Sequence, residues 1–442
     1  MISLPSVAQL TQELIRFDTT NPPGNEATCA AHLQRLLRDA GLETVMAGVS
    51  PRRPNLVARV PGSGEAPPLL LQGHLDVVTT ANQAWSHPPF SGDLADGHVW
   101  GRGALDMKGG VAMMVLAALR FLAEGRPPPG DVVIAALADE EAGGLEGAGW
   151  LAANRPQLFS GIRHALGEGG GGALYVGGRR FYPLMVAEKR GCQTRATFRG
   201  PGGHGSRPLR GGAMARLGRA LVALDSHRTP VHIGAATRLM LEGLRDGLDA
   251  GELRELVAQC LDPERTDAAL DRLGELGEEL GWMLDPLLHN NVNATMVRGG
   301  SKINVIPSEI ELDLDCRLLP GQTAEGWLGE LRAVIGADAE LQVVREGPSM
   351  PEPELGPFFD TLGAILREAD PEATPIPYLV SGGTDARHFA PLGIRTYGFL
   401  PQNFGAGLAY ERTMHDADER VPVSALEFGT EAVHQAILRY RG

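Results

Sequence analysis

The chain has 442 residues, enough for two domains, and its 43% hydrophobic and 21% charged residues predict a soluble globular protein. Its formal net charge of −14 argues against nucleic acid or an anionic membrane as a partner. The four cysteines lie far apart without CxxC spacing, so neither a disulfide framework nor a thiolate zinc site is expected. No apolar run approaches the ~20 residues of a membrane helix, and the N-terminus lacks a basic leader with a cleavage site, so we expect a cytoplasmic protein.

The first part of the chain alternates between helical and strand patterns. Apolar spacing predicts helices over 6–16 and 27–40, and the strands NLVARV and PLLLQGHLD follow. A long helix is expected from about Gly109 to Glu124, followed by the strand VVIAALADEE, a helix near 145–153 and the strand HALGEGG. This alternation predicts an α/β fold with a mixed, mostly parallel sheet between helices.

The pattern changes after about Ala187. CQTRATFRG and EIELDLD alternate like strands with one solvated face, and the polar stretch 246–285 is helical in character. These features indicate an inserted α+β domain with an antiparallel sheet over 188–350. The Pro- and Glu-rich stretch PSMPEPELGP would return the chain, so we predict a discontinuous catalytic domain of residues 1–187 and 351–442.

Acidic and histidine side chains follow the predicted strands. In an open α/β sheet, the loops beyond the carboxyl ends of parallel strands meet at one edge, so residues distant in sequence come together there. Adjacent carboxylates after an apolar strand repel each other, which favours a metal ligand for one and proton transfer for the other. The residues that follow apolar runs in this way are His74, Asp76, Glu140, Glu141 and Glu168.

Each motif taken singly also has a plainer explanation. His74 and Asp76 could form an ordinary polar pair at a strand end, and Asp106 in GRGALDMKGG could cap the helix that follows. Glu168 and His415 could be loop residues. In a strand, however, residues i and i+2 share a face, so Asp76 could hydrogen-bond the far nitrogen of a metal-bound His74. The joint occurrence of carboxylates between two histidines, with an Asp able to bridge, favours a site for two zinc ions.

The motifs resemble those of the di-zinc metallopeptidase family that contains aminoacylase, carboxypeptidase S, glutamate carboxypeptidase and succinyl-diaminopimelate desuccinylase. The resemblance covers essentially the whole chain, from TTNPPGNE through GHLDVV, GRGALDMKGG, DEEAGG, GEGG, GPGGHGS, NVIP and GGTDARHF to MHDADE. Co²⁺ or Mn²⁺ could replace zinc at ligands of this type. The resemblance implies two zinc sites that share a carboxylate, the first of His74, Asp106 and Glu168 and the second of Asp106, Glu141 and His415.

The resemblance also implies catalytic roles. It makes Glu140 the general base and acid, which takes a proton from a zinc-bridging water and gives it to the departing amide nitrogen, and it makes Asp76 the partner of His74. In the inserted domain, His204 of GPGGHGS would stabilise the oxyanion in the active site of a partner subunit. An exposed loop histidine is the alternative for His204.

Substrate-binding residues follow from the same resemblance. Asn304 and Arg317 match positions that hold the substrate carboxylate, for which the bidentate fork of arginine is suited. Gly383 to Asp385 and Arg387 in GGTDAR are candidates for the floor of the pocket, although Arg387 could instead pair with a neighbouring acid.

We therefore expect a metal-dependent amidohydrolase that cleaves N-acyl amino acids or short peptides with a free carboxylate. GGTDARHF, GEGG and the long polar stretch between Leu241 and Leu288 favour the aminoacylase and carboxypeptidase S branch of the family. The alternatives are a dipeptidase or C-terminal carboxypeptidase, a deacylase of the acetylornithine or succinyl-diaminopimelate type, and a non-enzymatic binding protein with this fold.

We also expect a homodimer through the inserted domain, with CQTRATF and EIELDLD offering an edge for pairing.

Overall fold

The computed structural model describes residues 3–277, 279–348, 353, 355–405 and 410–442. None of the helices within these described ranges combines the length and the hydropathy that a bilayer span requires. The chain divides into two compact units. The first unit consists of Met1–Val186, Glu354–Tyr378 and Thr384–Gly442, and the second of Ala187–Pro353 and Leu379–Gly383.

The helices and strands are numbered in chain order. The helices are α1 Val7–Ile15, α2 Ala27–Asp39, α3 Lys108–Ala123, α4 Ala148–Asn154, α5 Ala213–Ser226, α6 Ala235–Gly247, α7 Glu252–Gln259, α8 Thr266–Glu275, α9 Glu279–Leu288, α10 Ala324–Ile335, α11 Pro357–Ala369, α12 Ala386–Phe389 and α13 Val423–Arg439. The strands are β1 Thr44–Ala47, β2 Asn55–Val60, β3 Leu69–His74, β4 Asp93–Ala95, β5 His98–Trp100, β6 Val132–Leu137, β7 His164–Gly167, β8 Leu174–Val176, β9 Arg179–Glu188, β10 Arg190–Arg199, β11 Gly203–His204, β12 Asn291–Gly299, β13 Val305–Ile306, β14 Glu309–Leu318, β15 Ala339–Glu346, β16 Ala373–Val380, β17 Arg395–Gly398 and β18 Arg420–Pro422.

A nine-stranded mixed sheet forms the centre of the first unit. Its order is β1-β2-β6-β3-β7-β17-β9-β16, and β8 pairs with β9. The four neighbouring strands β6, β3, β7 and β17 run parallel, whereas β2 and β9 join this group in antiparallel orientation. The predicted α/β fold with a mixed sheet is confirmed.

The sequences of the central strands explain their position. Every residue of β3 (LLLQGH) and β6 (VVIAAL) is buried, as expected of strands in the parallel part of a sheet whose two faces are both covered. Helix α3, predicted over 109–124, is buried along most of its length and packs against α1, α13 and β3. Its first turn follows the loop that contains Asp106, so the packing of α3 fixes one end of that loop.

The second unit contains a four-stranded antiparallel sheet of order β12-β14-β10-β15. Buried and partly exposed residues alternate along β14, and its buried face packs with Phe198, Leu217 and Trp327 in one apolar core. The polar helical stretch expected over 246–285 is the series of helices α6 to α9. Half of the predicted linker PSMPEPELGP lies outside the described residues.

The prediction of the dimer edge was wrong in one respect. CQTRATF belongs to β10 and EIELDLD to β14, and these are the two inner strands of the sheet. The edge strands are β12 and β15, which the sequence pattern did not reveal. Most of β12 is exposed on both faces, so it lacks the alternation of buried and solvated positions by which a strand is recognised.

Candidate metal centre

Three neighbouring parallel strands of the first unit deliver most of the predicted metal ligands. Strand β3 ends at His74, β7 ends one residue before Glu168, and β6 is followed by a short 3-10 turn over Glu140–Ala142. Because β3 lies between β6 and β7, their carboxyl ends lie side by side. The sequence argument from strand ends therefore placed these residues on the correct edge of the sheet.

The first cluster consists of His74, Asp106 and Glu168. The Nε2 atom of the buried His74 lies 2.9 Å from Oδ1 of Asp106 and 3.4 Å from Oε2 of Glu168. The other ring nitrogen of His74, Nδ1, donates to the backbone carbonyl of Asp76 at 2.9 Å. A proton on Nδ1 leaves the lone pair of Nε2 available for a metal, the arrangement that a histidine ligand needs.

The second cluster consists of Asp106, Glu141 and His415. The Nε2 atom of His415 lies 3.1 Å from Oδ2 of Asp106 and 3.4 Å from Oε2 of Glu141. The two oxygens of Asp106 therefore face different histidines, one in each cluster. In each cluster the ligand atoms all lie within 4.8 Å of one another, and among the described residues Oε1 of Glu141 is buried without a hydrogen-bond partner. This set of donors fits two divalent cations that share Asp106.

The carboxylate of Asp76 does something other than predicted. It lies 3.6 Å from Nδ1 of His74, which bonds the backbone oxygen of Asp76 instead. Its two oxygens accept the backbone N–H groups of Glu140 at 3.1 Å and Glu141 at 3.2 Å, and one also accepts Nδ2 of Asn21 at 2.8 Å. The backbone oxygen of Asp76 thus orients the imidazole of His74, and its carboxylate holds the turn that follows β6. The carboxylate reaches this turn because β3 and β6 are neighbouring strands.

Glu419 is a residue of this centre that sequence reasoning missed. It is fully buried and accepts the backbone N–H groups of Gly103 at 3.1 Å, Leu105 at 2.8 Å and Asp106 at 3.1 Å. Its other oxygen accepts Nη1 of the buried Arg102 at 2.6 Å. Glu419 therefore fixes the loop that carries Asp106. The available signal was its place in MHDADE, four residues after His415.

The charges of the centre strongly perturb the ligands. Burial lowers the pKa of His74, but the carboxylates of Glu168 and Asp106 outweigh this effect and hold that pKa well above its ordinary value. Hydrogen bonds to Asp106 and Glu141 raise the pKa of His415 to about 10. Burial raises the pKa of Asp106, but its bonds to His415 and His74 prevail and the pKa is far below its ordinary range.

Glu140 differs from the ligands in its surroundings. It belongs to neither cluster, its side chain is only 12% exposed, and Nη2 of Arg387 lies 3.8 Å from its Oε1. Burial, followed by the charge of Glu168, raises the pKa of Glu140 well above its ordinary value. Asp385, a residue of the predicted pocket floor in GGTDAR, is also fully buried, and among the described residues neither of its side-chain oxygens has a hydrogen-bond partner. Burial holds the pKa of Asp385 well above its usual range.

The remaining predicted site residues belong to the second unit. His204 is exposed on β11, and its Nδ1 accepts the backbone N–H of Ser206 at 3.2 Å, so Nε2 carries the proton of the neutral ring. Arg317 is paired with Asp315, with Nε to Oδ1 at 2.9 Å and Nη2 to Oδ2 at 3.1 Å. The exposed Asn304 accepts the N–H of Gly205 on its backbone oxygen at 2.8 Å. The second unit also contains Gly383, and the contribution of these four predicted residues to the metal centre stays a prediction.

The fold and the paired ligand clusters define the class as a metal-dependent hydrolase of amide bonds. The chain belongs to peptidase family M20/M25/M40, whose model matches residues 70–439. It is 30% identical over 460 residues to a succinyl-diaminopimelate desuccinylase of Paracoccus denitrificans, covering 100% of both chains. It is 26% identical to aminoacylase-1 of Sus scrofa, covering 98% of this chain and 94% of the other. Among solved structures, the M20 family metallo-carboxypeptidase Sso-CP2 from Sulfolobus solfataricus has a TM-score of 0.69 at 17% identity, covering 99% of this chain and 100% of the other. The predicted family and reaction class are confirmed.

Proposed function

We propose that this chain hydrolyses the amide bond of small N-acyl amino acids or short peptides with a free carboxylate, using two zinc ions per chain. The observation that carries the proposal is the position of Asp106, whose two oxygens face His74 and His415 at 2.9 and 3.1 Å. A carboxylate shared by two imidazole-containing clusters is the ligand arrangement of a co-catalytic pair of cations. Nitrogen and oxygen donors suit Zn²⁺, and Co²⁺ or Mn²⁺ are substitutes that the same donors accept.

Glu140 is the proposed general base and acid. Bound cations would supply activation of a water molecule and polarisation of the amide carbonyl. Glu140 is left to move the proton because it is not part of either ligand cluster. Its raised pKa suits a group that must accept a proton and then deliver it to the departing nitrogen. The bonds of Asp76 to the backbone of Glu140 and Glu141 keep the carboxylate of Glu140 next to the proposed ligands.

The second unit is proposed to supply substrate recognition. Asp315 engages one edge of the Arg317 guanidinium, which orients that side chain for a substrate carboxylate. The tautomer that Ser206 imposes on His204 leaves an Nε2–H donor for an oxyanion. We propose that residues 188–350 form a lid that also pairs two chains as a homodimer. The proposed contact is β12, an edge strand on which Met296 is 53% and Val297 is 56% exposed.

A second candidate within the same reaction class is removal of an N-succinyl group. The similarity to the desuccinylase, at 30% identity over the full length of both chains, favours this substrate type. The preference for the aminoacylase and carboxypeptidase S branch stays a prediction, and so does the cytoplasmic location.

A hydrolysis screen distinguishes these substrates. The purified protein is supplied with Zn²⁺ and tested on N-acetyl amino acids, N-succinyl amino acids and dipeptides, with matched reactions that contain a chelator. The proposal predicts chelator-sensitive cleavage of at least one N-acyl class and loss of cleavage when the substrate carboxylate is amidated. A preference for N-succinyl substrates would favour the second candidate. Cleavage that survives amidation of the carboxylate would contradict the proposed recognition.

A further inference from the structure

A buried arginine lies behind the turn that carries Glu140 and Glu141. Nη1 of Arg53 donates to Oδ1 of Asp139 at 2.9 Å and to Oε2 of Glu146 at 2.9 Å. Nη2 of Arg53 donates to Oε1 of the fully buried Glu26 at 2.8 Å. Arg53 itself is only 9% exposed. A buried ion cluster of this kind is stable only while every charge keeps its partners, so the guanidinium holds its acceptors in place.

The NPPGNE segment forms the surroundings of this guanidinium. Gly24 has a φ of +75°, and a Cβ placed on it would lie 2.2 Å from Nε of Arg53, so the arginine occupies the space of a side chain. Glu26 supplies the opposite charge. Nδ2 of Asn21 donates to Oδ2 of Asp76 at 2.8 Å and contacts Oδ1 of Asp139 at 3.3 Å. Three residues of one short motif therefore contact this network, although none of them belongs to the metal clusters.

Asp139 connects the Arg53 network to the turn that carries Glu140 and Glu141. Its φ is +72°, a left-handed conformation that is disfavoured for residues with a Cβ. Besides Arg53 and Asn21, its side chain accepts the backbone N–H of Glu146 at 2.8 Å, so the carboxylate is anchored on several sides. Glu140 and Glu141 are the next two residues, and the dihedral angles of Asp139 set the direction in which both of them leave β6.

We propose that Arg53, supported by Asn21, Gly24 and Glu26, is a positioning residue that fixes the turn after β6. It would thereby set both the proton transfer by Glu140 and the affinity of the cation held through Glu141. The inference rests on the proposed roles of these two glutamates. The cluster of His74, Asp106 and Glu168 receives no ligand from this turn, so its affinity should not depend on Arg53. This asymmetry separates positioning from a general loss of stability, which would weaken both sites.

The test compares Arg53→Met and Arg53→Lys with the matched control Arg59→Met. Arg59 belongs to the same unit, and Arg59→Met removes an ion pair with Asp131 at 2.8 Å. This ion pair does not involve the turn after β6. Zn²⁺ binding to the metal-free full-length chain is measured by competition with a chelator, and Glu141→Gln and Glu168→Gln identify which of the two sites weakens. Kinetics with saturating Zn²⁺ follow.

For Arg53→Met we expect the Glu141 site alone to lose about 10–100-fold in Zn²⁺ affinity, with a similar loss in kcat and little change in KM. Arg53→Lys should recover part of both losses, because an ammonium keeps the charge but not the fork that reaches Glu26 and Asp139 together. Adding Asp139→Gly to Arg53→Met should also restore part of kcat, since glycine adopts a positive φ without strain and the substitution removes a carboxylate that has lost its guanidinium partner.

Three results would overturn the inference. They are equal weakening of both Zn²⁺ sites, a folded Arg53→Met protein with unchanged kcat, and no rescue by either Arg53→Lys or the added Asp139→Gly. The metal titration needs no substrate, so it remains decisive even if the wild-type chain cleaves none of the amides of the screen. A wild-type chain that cleaves none of these amides would count against the proposed function alone.

Discussion

Replacement of Glu419 by alanine should destabilise the first unit and weaken both metal sites. Glu419 is 0% and Arg102 is 1% exposed, and their side chains meet at 2.6 Å. Removing one member of such a pair leaves an uncompensated buried charge, which costs about 3–5 kcal/mol. The backbone N–H groups of Gly103, Leu105 and Asp106 lose their acceptor as well, at about 1–3 kcal/mol for each one that water does not reach. We therefore expect the free energy of unfolding to fall by at least ~3 kcal/mol, the lower end of the ion-pair cost.

The assay is urea unfolding of the metal-free chain together with Zn²⁺ titration. Metal-free protein is used because bound cations would add their own stabilisation and mask the loss. Glu419→Gln keeps an oxygen for the loop amides and should fall between the wild type and Glu419→Ala. Glu368→Ala removes the exposed ion pair with Arg439 at 2.7 Å and should change little, so it serves as the control. A stability of Glu419→Ala within ~1 kcal/mol of the wild type, with both sites binding Zn²⁺ normally, would refute the cost assigned to an unpaired buried charge.

Four further predictions test the site and the fold. Glu140→Gln should keep both metals but lower turnover by roughly 10²–10⁴-fold, measured by metal analysis and kinetics, and near-normal turnover would exclude Glu140 as the base. Exhaustive chelation should abolish activity and Zn²⁺ restore it, whereas fewer than two ions per chain in a fully active preparation would contradict the paired site. His204→Ala and Glu140→Gln homodimers should each be inactive and regain activity when mixed, unless the protein is a fully active monomer or shows no recovery despite proven subunit exchange. Burial, together with Arg395 and Arg163, lowers the pKa of His164 from 6.5 to about 4. The unfolded chain therefore binds a proton that the folded chain does not, so stability should fall as pH drops from 6.5 towards 4, and urea unfolding should show a smaller fall for His164→Gln.

The sequence predicted the central strands, and the clustering of the candidate ligands beside them, for a physical reason. A strand in the parallel part of the sheet is buried on both faces, so β6 is an uninterrupted apolar run and β3 begins with three leucines. The polar residues near the ends of these runs, such as His74 and Glu140, stand out against them. Their proximity then follows from the rule that ligands gather at the carboxyl ends of parallel strands.

The residues that hold the ligands in place were not predictable in the same way. Arg53 and Arg102 are charged residues in segments without regular periodicity, and a single sequence does not distinguish a buried arginine from an exposed one. Glu419 is separated from its loop partner Asp106 by more than 300 residues, a contact that only the tertiary fold creates. The edge strand β12 was missed because it is exposed on both faces and has no alternating pattern.

Two buried carboxylates hold two of the backbone segments that carry candidate ligands, and each lies close to a buried arginine network. Asp76 binds the amides of the turn after β6, and Glu419 binds the amides of the loop that carries Asp106. Adding negative charge beside a centre that is already acidic is unfavourable, and guanidinium groups offset it: Arg102 pairs with Glu419, and Arg53 pairs with Asp139 at the start of the turn.

The two networks act on different ligands, and their effects should differ accordingly. Asp106 contributes an oxygen to each cluster, so loosening its loop through Glu419→Ala should weaken both cations. The turn after β6 contributes only Glu141, so Arg53→Met should weaken one. If both substitutions weakened the same single site, the proposed bridging position of Asp106 would be contradicted, because its loop carries one oxygen to each cluster. The paired experiment therefore tests the shared carboxylate, on which the proposed reaction depends, without relying on any substrate.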